Sequence, residues 1–330
     1  MQNVINAYTL TFVIATIFTL ALYLVYIFKR KEGLNLIPVV ISIATVFLLY
    51  RLISVAGSAS YYDVLALDIC IAIIATILAI FYISKPYIFI GLTILLLFAF
   101  VIFVGSYPGN STFAGMFAIG TIYGLIYREF VINPKKDKKP VKNKSKEINR
   151  DLIQIFLGIV LVAVIYFLPH PGAIDIIFAL IILSYACNNL LANLKLSPLY
   201  RKAVDLERKN VTYGLGATYL AASTALIMGF THSTNMLLFG IVALFFADSI
   251  ATIVGVSLRR AAELPYNRFK TIIGSFAFFV VAAIAGFYLL GYYGILFALI
   301  LAFVESLNLS LDDNIRTGIV VVILGAVIGL

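Results

Sequence analysis

The sequence predicts an all-α protein, a polytopic transmembrane helical bundle of about twelve spans with both termini outside. Three observations carry this. Of the 330 residues, 63% are hydrophobic and 12% charged, and the mean hydropathy is +1.07, more apolar surface than a soluble domain of this size can hide. The apolar residues come in continuous runs of roughly 20, the length of a helical span, without the period-2 alternation of barrel strands. The basic residues fall in alternate loops.

Taken along the chain, the expected spans are Ile5–Phe28, Leu36–Val55, Val64–Ile83, Tyr87–Val104, Phe113–Tyr127, Leu152–Leu168, Ala173–Leu191, Tyr213–Phe230, Met236–Val256, Ile272–Leu290, Ile295–Leu307 and Ile315–Leu330. The last two are short for a full crossing, and one of them could be half-inserted. With Lys29-Arg30-Lys31 on the cytosolic side, strict alternation puts Lys85, Arg128, the 135–150 stretch, Lys195 to Lys209, Arg259 to Lys270 and Arg316 on that side too. Arg51 is then the single Lys or Arg left outside, as the positive-inside rule asks of short loops. The formal charge of +9 therefore reports topology and attraction to anionic headgroups, and no nucleic-acid partner is expected. Cys70 and Cys187 lie within spans and read as free, apolar thiols. No charged segment precedes the first apolar run and Lys29 to Lys31 follow it, the pattern of a retained anchor.

The chain divides into an N-terminal five-span membrane region (1–130), a basic cytosolic linker (131–150) and a seven-span C-terminal domain (151–330). Lys135 to Arg150 carries eight basic and two acidic residues; like-charge repulsion and Pro140 argue for a solvated strap near the lipid surface. In the first half, Arg51 can pair with Asp63 and Asp68, which removes the cost of a lone charge in hydrocarbon. His170 and His232 have no second histidine or carboxylate at helical spacing, so no zinc site is expected. No G-x-x-x-x-G-K-[ST] run occurs, which excludes an ordinary P-loop. Gly214 and Gly216 read as a close-packing patch on a membrane helix.

The chemistry gathers on the cytosolic side of the second half, in four places. Glu207-Arg208-Lys209-Asn210 precedes the eighth span. Asp248 falls inside the ninth, where a charge needs a wet or polar cavity or a break in the helix that it could cap. Arg268-Phe269-Lys270-Thr271-Ile272-Ile273-Gly274 offers a compact cation for a phosphate and a hydroxyl beside it. Glu305 and then Asp312-Asp313-Asn314 supply oxygen ligands of the kind Mg²⁺ takes.

At these residues the chain resembles the CTP-dependent lipid kinases: dolichol kinase, phytol kinase and the yeast-type diacylglycerol kinase. The resemblance spans about 205–320. A D-x-x-A-x-x-x-G signature is matched by Asp248, Ala251 and Gly255, and the following K-[ST]-x-E-G stretch by Lys270, Thr271 and Gly274. The Arg-Lys pair before the preceding helix is matched by Arg208 and Lys209, and a D-N near the C-terminus by Asp313 and Asn314. Arg259 stands where a second glycine is usual, Ile273 replaces the glutamate, and a histidine expected after the Arg-Lys pair is absent, with Thr212 nearby.

The resemblance implies an integral-membrane kinase that moves the γ-phosphate of CTP onto the hydroxyl of an isoprenoid alcohol, with Mg²⁺ or another divalent cation as cofactor. Asp248 and Lys270 would be catalytic. Arg208, Lys209, Gly255, Thr271 and Gly274 would hold the nucleotide, and Asp248, Glu305, Asp313 and Asn314 the metal. Spacing alone does not separate CTP from ATP. The alternatives are a cytidylyltransferase related to CDP-diacylglycerol synthase, a transporter-like membrane protein, or a degenerate relative without activity.

Overall fold

The computed structural model describes residues 110–128, 144–168, 214–231, 233–258, 262–309 and 311–329, with isolated helical positions between 72 and 80, between 173 and 184, and at Val204. The first four expected spans, the seventh, most of the linker, both histidines and both cysteines lie outside the described residues or only touch them.

The described part is a helical bundle. Its helices are α1 (Asn110–Tyr127), α2 (Lys144–Phe167), α3 (Leu215–Phe230), α4 (Thr234–Ser257), α5 (Ile272–Leu290), α6 (Tyr292–Ser306) and α7 (Asp313–Val327). Three of them, α2, α4 and α5, are long and apolar enough to cross a membrane. Their burial differs: 56% of the apolar window of α4 is buried inside the protein, against 17% for α2 and 22% for α5. α4 is therefore the central staff, and the other two turn most of their surface outward. Leu152, Ile153, Phe156, Ile159, Phe276 and Ile284 stand exposed on them, a pattern compatible with a lipid environment. Tyr166, Tyr288, Tyr292 and Tyr293 are also exposed, at the ends of α2, α5 and α6 away from the charged residues, where an aromatic belt is expected.

Small residues let the helices close on one another. A Cβ on Gly240 of α4 would meet Ile227 and Val321 at 2.9 and 3.0 Å, and one on Gly318 of α7 would meet Ser223 of α3 at 3.1 Å. α5 and α6 fold back through Gly291, whose φ of 65° suits glycine. Beside that turn Gly286 and Gly294 touch so closely that a Cβ on either would strike the other's backbone. Gly214 likewise adopts a left-handed conformation (φ 71°) at the start of α3, while nothing lies within 4 Å of a Cβ on Gly216. The expected close-packing pair is thus a conformational glycine followed by an open one.

Two further expectations change. The bundle is not purely helical: β1 (Glu263–Leu264) and β2 (Asn267–Thr271) form a short antiparallel hairpin between α4 and α5. Pro265 opens its turn, a residue whose fixed φ suits that place. And α2 begins at Lys144, so the last part of the expected linker is helix, with Glu147 and Asp151 buried. Lys144 Nζ donates to the Ser257 carbonyl at 3.2 Å, a cation placed on the carbonyl end of α4 where the helix dipole favours it.

Candidate functional site

Asp248 was open to two readings in the sequence, a polar cavity or a helix break that it caps, and the second is overturned. Its φ and ψ of −62° and −47° are helical, and α4 runs through it without interruption. What precedes it is instead a π-helical segment, Val242–Ala247, closed by the Asp248 N–H bonding to the Ala243 carbonyl five residues back. A π turn inserts one extra residue and re-aims the side chains beyond it, and such turns concentrate at functional sites. Widening also disturbs the i→i+4 pairing of nearby carbonyls, and α2 answers it: Gln154 Nε2 donates to the Leu244 carbonyl at 2.8 Å. An apolar residue at 154 would remove that bond.

The hairpin positions the lysine. Asn267 is buried; its Nδ2 donates to the Ser306 carbonyl at 2.9 Å, and its Oδ1 accepts the Phe269 N–H at 3.1 Å. The Tyr266 hydroxyl lies 2.8 Å from Ser306 Oγ. These bonds pin β2 to the last turn of α6, which ends in Glu305-Ser306. Three residues along from Asn267, Lys270 is then held between two carboxylates: it pairs with Glu305, and its Nζ lies 2.7 Å from Asp313 Oδ2.

Asp313 is shared, since Arg316 of α7 also pairs with it. Arg316 is buried and spends its other donors on the end of α6 and the loop after it: Nε on the Leu311 carbonyl at 3.0 Å, and one terminal nitrogen on those of Val304 and Leu307, both at 2.9 Å. The Val304 carbonyl, which also takes the Leu307 N–H at 3.3 Å, belongs to the last turn of α6, where carbonyls run short of backbone donors. In the sequence Arg316 was only a topology marker. Here it cements α6 to α7.

The remaining expected residues are placed as follows. Thr271 is the N-cap of α5, its Oγ1 accepting the Gly274 N–H at 3.1 Å. A Cβ on Gly274 would lie 2.9 Å from the Ala251 carbonyl oxygen, and one on Gly255 would lie 2.8 Å from Thr271 Oγ1. Both glycines therefore let α4 and α5 cross closely. Asn314 donates twice to Asp312 Oδ1, from N at 3.0 Å and from Nδ2 at 3.2 Å, within the cap of α7. Arg208, Lys209 and Arg259 lie outside the described residues.

The expected metal set of Asp248, Glu305, Asp313 and Asn314 does not converge on one point. Among the described residues no group of three or more His, Cys, Asp or Glu side chains could hold an ion by itself. Glu305 and Asp313 face Lys270 instead; Glu305 is buried, where a carboxylate needs a cation beside it, while Asp313 is half-exposed. Asp248 is near enough for its charge to bear on both Glu305 and Asp151, and each of those carries one buried oxygen without a hydrogen-bond partner among the described residues, Glu305 Oε2 and Asp151 Oδ2. Magnesium is commonly held by one or two carboxylates, with water and phosphate oxygens completing the shell.

The sequence reading had the span of α2 but passed over its acidic residues. Glu147 and Asp151 are buried, and Arg150 bridges them, at 3.1 Å to Glu147 Oε2 and 3.3 Å to Asp151 Oδ1. The available signal was two acids four residues apart, one face of a helix, at the edge of an apolar run.

No family model and no solved structure matches the chain. Over 172 residues, 52% of this chain and 87% of the relative, it is 28% identical to an uncharacterized protein of Methanocaldococcus jannaschii.

Proposed function

We propose that this chain is an integral-membrane phosphotransferase that moves the γ-phosphate of CTP to the hydroxyl of an isoprenoid alcohol. In this reading it crosses the bilayer twelve times with both termini outside, and the site opens to the cytosol, where most of its Lys and Arg residues gather. The observation that carries the reading is the polar knot at one end of apolar helices: Lys270 between Glu305 and Asp313, with Asp248 acting on Glu305 beside them. The choice of CTP and of an alcohol rests on the resemblance at Asp248, Lys270 and Asp313.

The chemistry follows from the parts. Lys270 exchanges a carboxylate for a phosphate oxygen when nucleotide arrives, and the displaced carboxylate becomes free to accept a proton or an ion. The alcohol oxygen forms a bond to the γ-phosphorus while the bond to the β–γ bridging oxygen breaks. CDP leaves with that electron pair, and the hydroxyl proton passes to a site carboxylate. Asp248 would help to hold a divalent ion, which when bound would supply charge neutralisation at the phosphates. The alcohol's tail stays in lipid with its hydroxyl at the interface, so catalysis is positioning and electrostatics.

The test is product analysis with the full chain in detergent, Mg²⁺, labelled CTP or ATP, and a panel of lipid alcohols. Phosphorylated alcohol with CDP supports the reading. Release of pyrophosphate would make the chain a cytidylyltransferase, and no transfer to any alcohol would overturn the kinase reading. An Asp248→Ala variant with full activity would overturn the site.

A further inference from the structure

We infer that Asp151 of α2 and Asp248 of α4 together form a divalent-cation site at the contact between these two helices. This deepens the reading above by naming the second carboxylate of the same site, and it rests on that reading only for the phosphate that completes the shell. Asp151 belongs to no part of the resemblance.

The placement comes from three contacts between the helices. Lys144 reaches the Ser257 carbonyl, Gln154 reaches the Leu244 carbonyl, and a Cβ on Gly158 would come within 2.6 Å of Phe245 Cβ. α2 thus runs antiparallel to α4, and between the first two contacts Asp151 falls level with Asp248. Asp248 is near enough for its charge to bear on Asp151.

The need for a cation comes from Asp151 itself. Its side chain is 2% exposed; Oδ1 takes Arg150, and Oδ2 is buried with no partner among the described residues. A buried carboxylate oxygen without a donor is costly, and its presence wants an explanation such as an absent ion. Glu305 Oε2 is in the same condition, and Asp248 acts on it too. Among the described residues the linked set contains six carboxylates (Glu147, Asp151, Asp248, Glu305, Asp312, Asp313) and three cations (Arg150, Lys270, Arg316). Negative charge is in excess, and a divalent ion would lower it. Since no three acids converge among the described residues, the ion keeps water or phosphate oxygens, which suits Mg²⁺ or Mn²⁺ and not an all-protein calcium or zinc cage.

The experiment uses the full chain in detergent without nucleotide, titrated with Mn²⁺ and followed by the loss of the free-ion electron paramagnetic resonance signal. One Mn²⁺ per chain, displaced by Mg²⁺, is expected. Asp151→Asn and Asp248→Asn should each weaken binding by about tenfold or more, Asp151→Glu should retain part of it, and Glu263→Gln on the exposed hairpin strand should leave it unchanged. In EDTA, Asp151→Asn should melt no lower than the parent, because the substitution removes an unbalanced buried charge.

Absence of Mn²⁺ uptake by the parent, or parental affinity in Asp151→Asn, would overturn the inference. So would a lower melting temperature of Asp151→Asn in EDTA, which would assign Asp151 to its ion pair with Arg150. Binding lost in both variants with no phosphate transfer to any alcohol would leave this site standing and remove the kinase reading. Phosphate transfer with unaltered ion binding in Asp151→Asn would do the reverse.

Discussion

Replacing Lys270 by methionine tests the knot that holds α5, α6 and α7 together. Lys270 is 17% exposed and Glu305 only 5%, so their pair sits largely out of water. Of the two Glu305 oxygens, Oε1 takes Lys270 and Oε2 has no hydrogen-bond partner among the described residues. Lys270→Met therefore leaves a buried carboxylate with neither oxygen paired, a change that costs about 3–5 kcal/mol. Glu305→Gln costs less, about 1–2 kcal/mol, because the lysine keeps Asp313 and no charge is stranded. In the double variant no buried charge is orphaned, so its cost should fall short of the sum of the two singles by about 1–3 kcal/mol. The assay is reversible unfolding by SDS in mixed micelles, followed by far-ultraviolet circular dichroism. Additivity to within ~0.5 kcal/mol would refute the pairing. Phosphate transfer gives a second readout: stability should return in the double variant while transfer does not, because Lys270 is then still missing from the phosphates.

Gly274→Ala should cost about 1–3 kcal/mol and more than Gly255→Ala, measured by the same unfolding; the first places its methyl against the Ala251 carbonyl, which cannot step aside, and the second against the Thr271 hydroxyl, which can rotate at the expense of its cap. Equal costs would mean that the two helices are free to part. Asn267→Ala removes the bond to the Ser306 carbonyl and the one from the Phe269 N–H, about 1–3 kcal/mol of local stability. Amide exchange should then quicken in 263–271 before it does in α5, and uniform protection would show that the hairpin is held by something else.

Much of this molecule is legible in its sequence for a simple reason. The length of an apolar run and the charges that interrupt it are local properties, and lipid punishes any mistake in them. The expected segments at Phe113–Tyr127, Tyr213–Phe230 and Ile272–Leu290 agree within two or three residues with the helices α1, α3 and α5, of which α5 has the length of a span. Asp248, Lys270, Glu305 and Asp313 stood out because a charge beside such runs needs a partner, and three of them do meet at Lys270.

The partners themselves were not legible. Asp313 looked like a metal ligand beside Asn314, yet it pairs with Lys270 and Arg316, while Asn314 turns to Asp312. Glu147 sat in a stretch whose many lysines read as solvated linker and Asp151 directly after it, and their burial depends on α2 lying along α4. The π segment before Asp248 has no compositional signature, since Val242 to Ala247 suits an ordinary helix equally well. The sequence by itself determined a helical, lipid-compatible chain and the residues too polar to be there without a reason. Only the tertiary structure decided which of those charges neutralise one another and which carboxylate oxygens are left over, because that depends on distances between helices far apart in the chain.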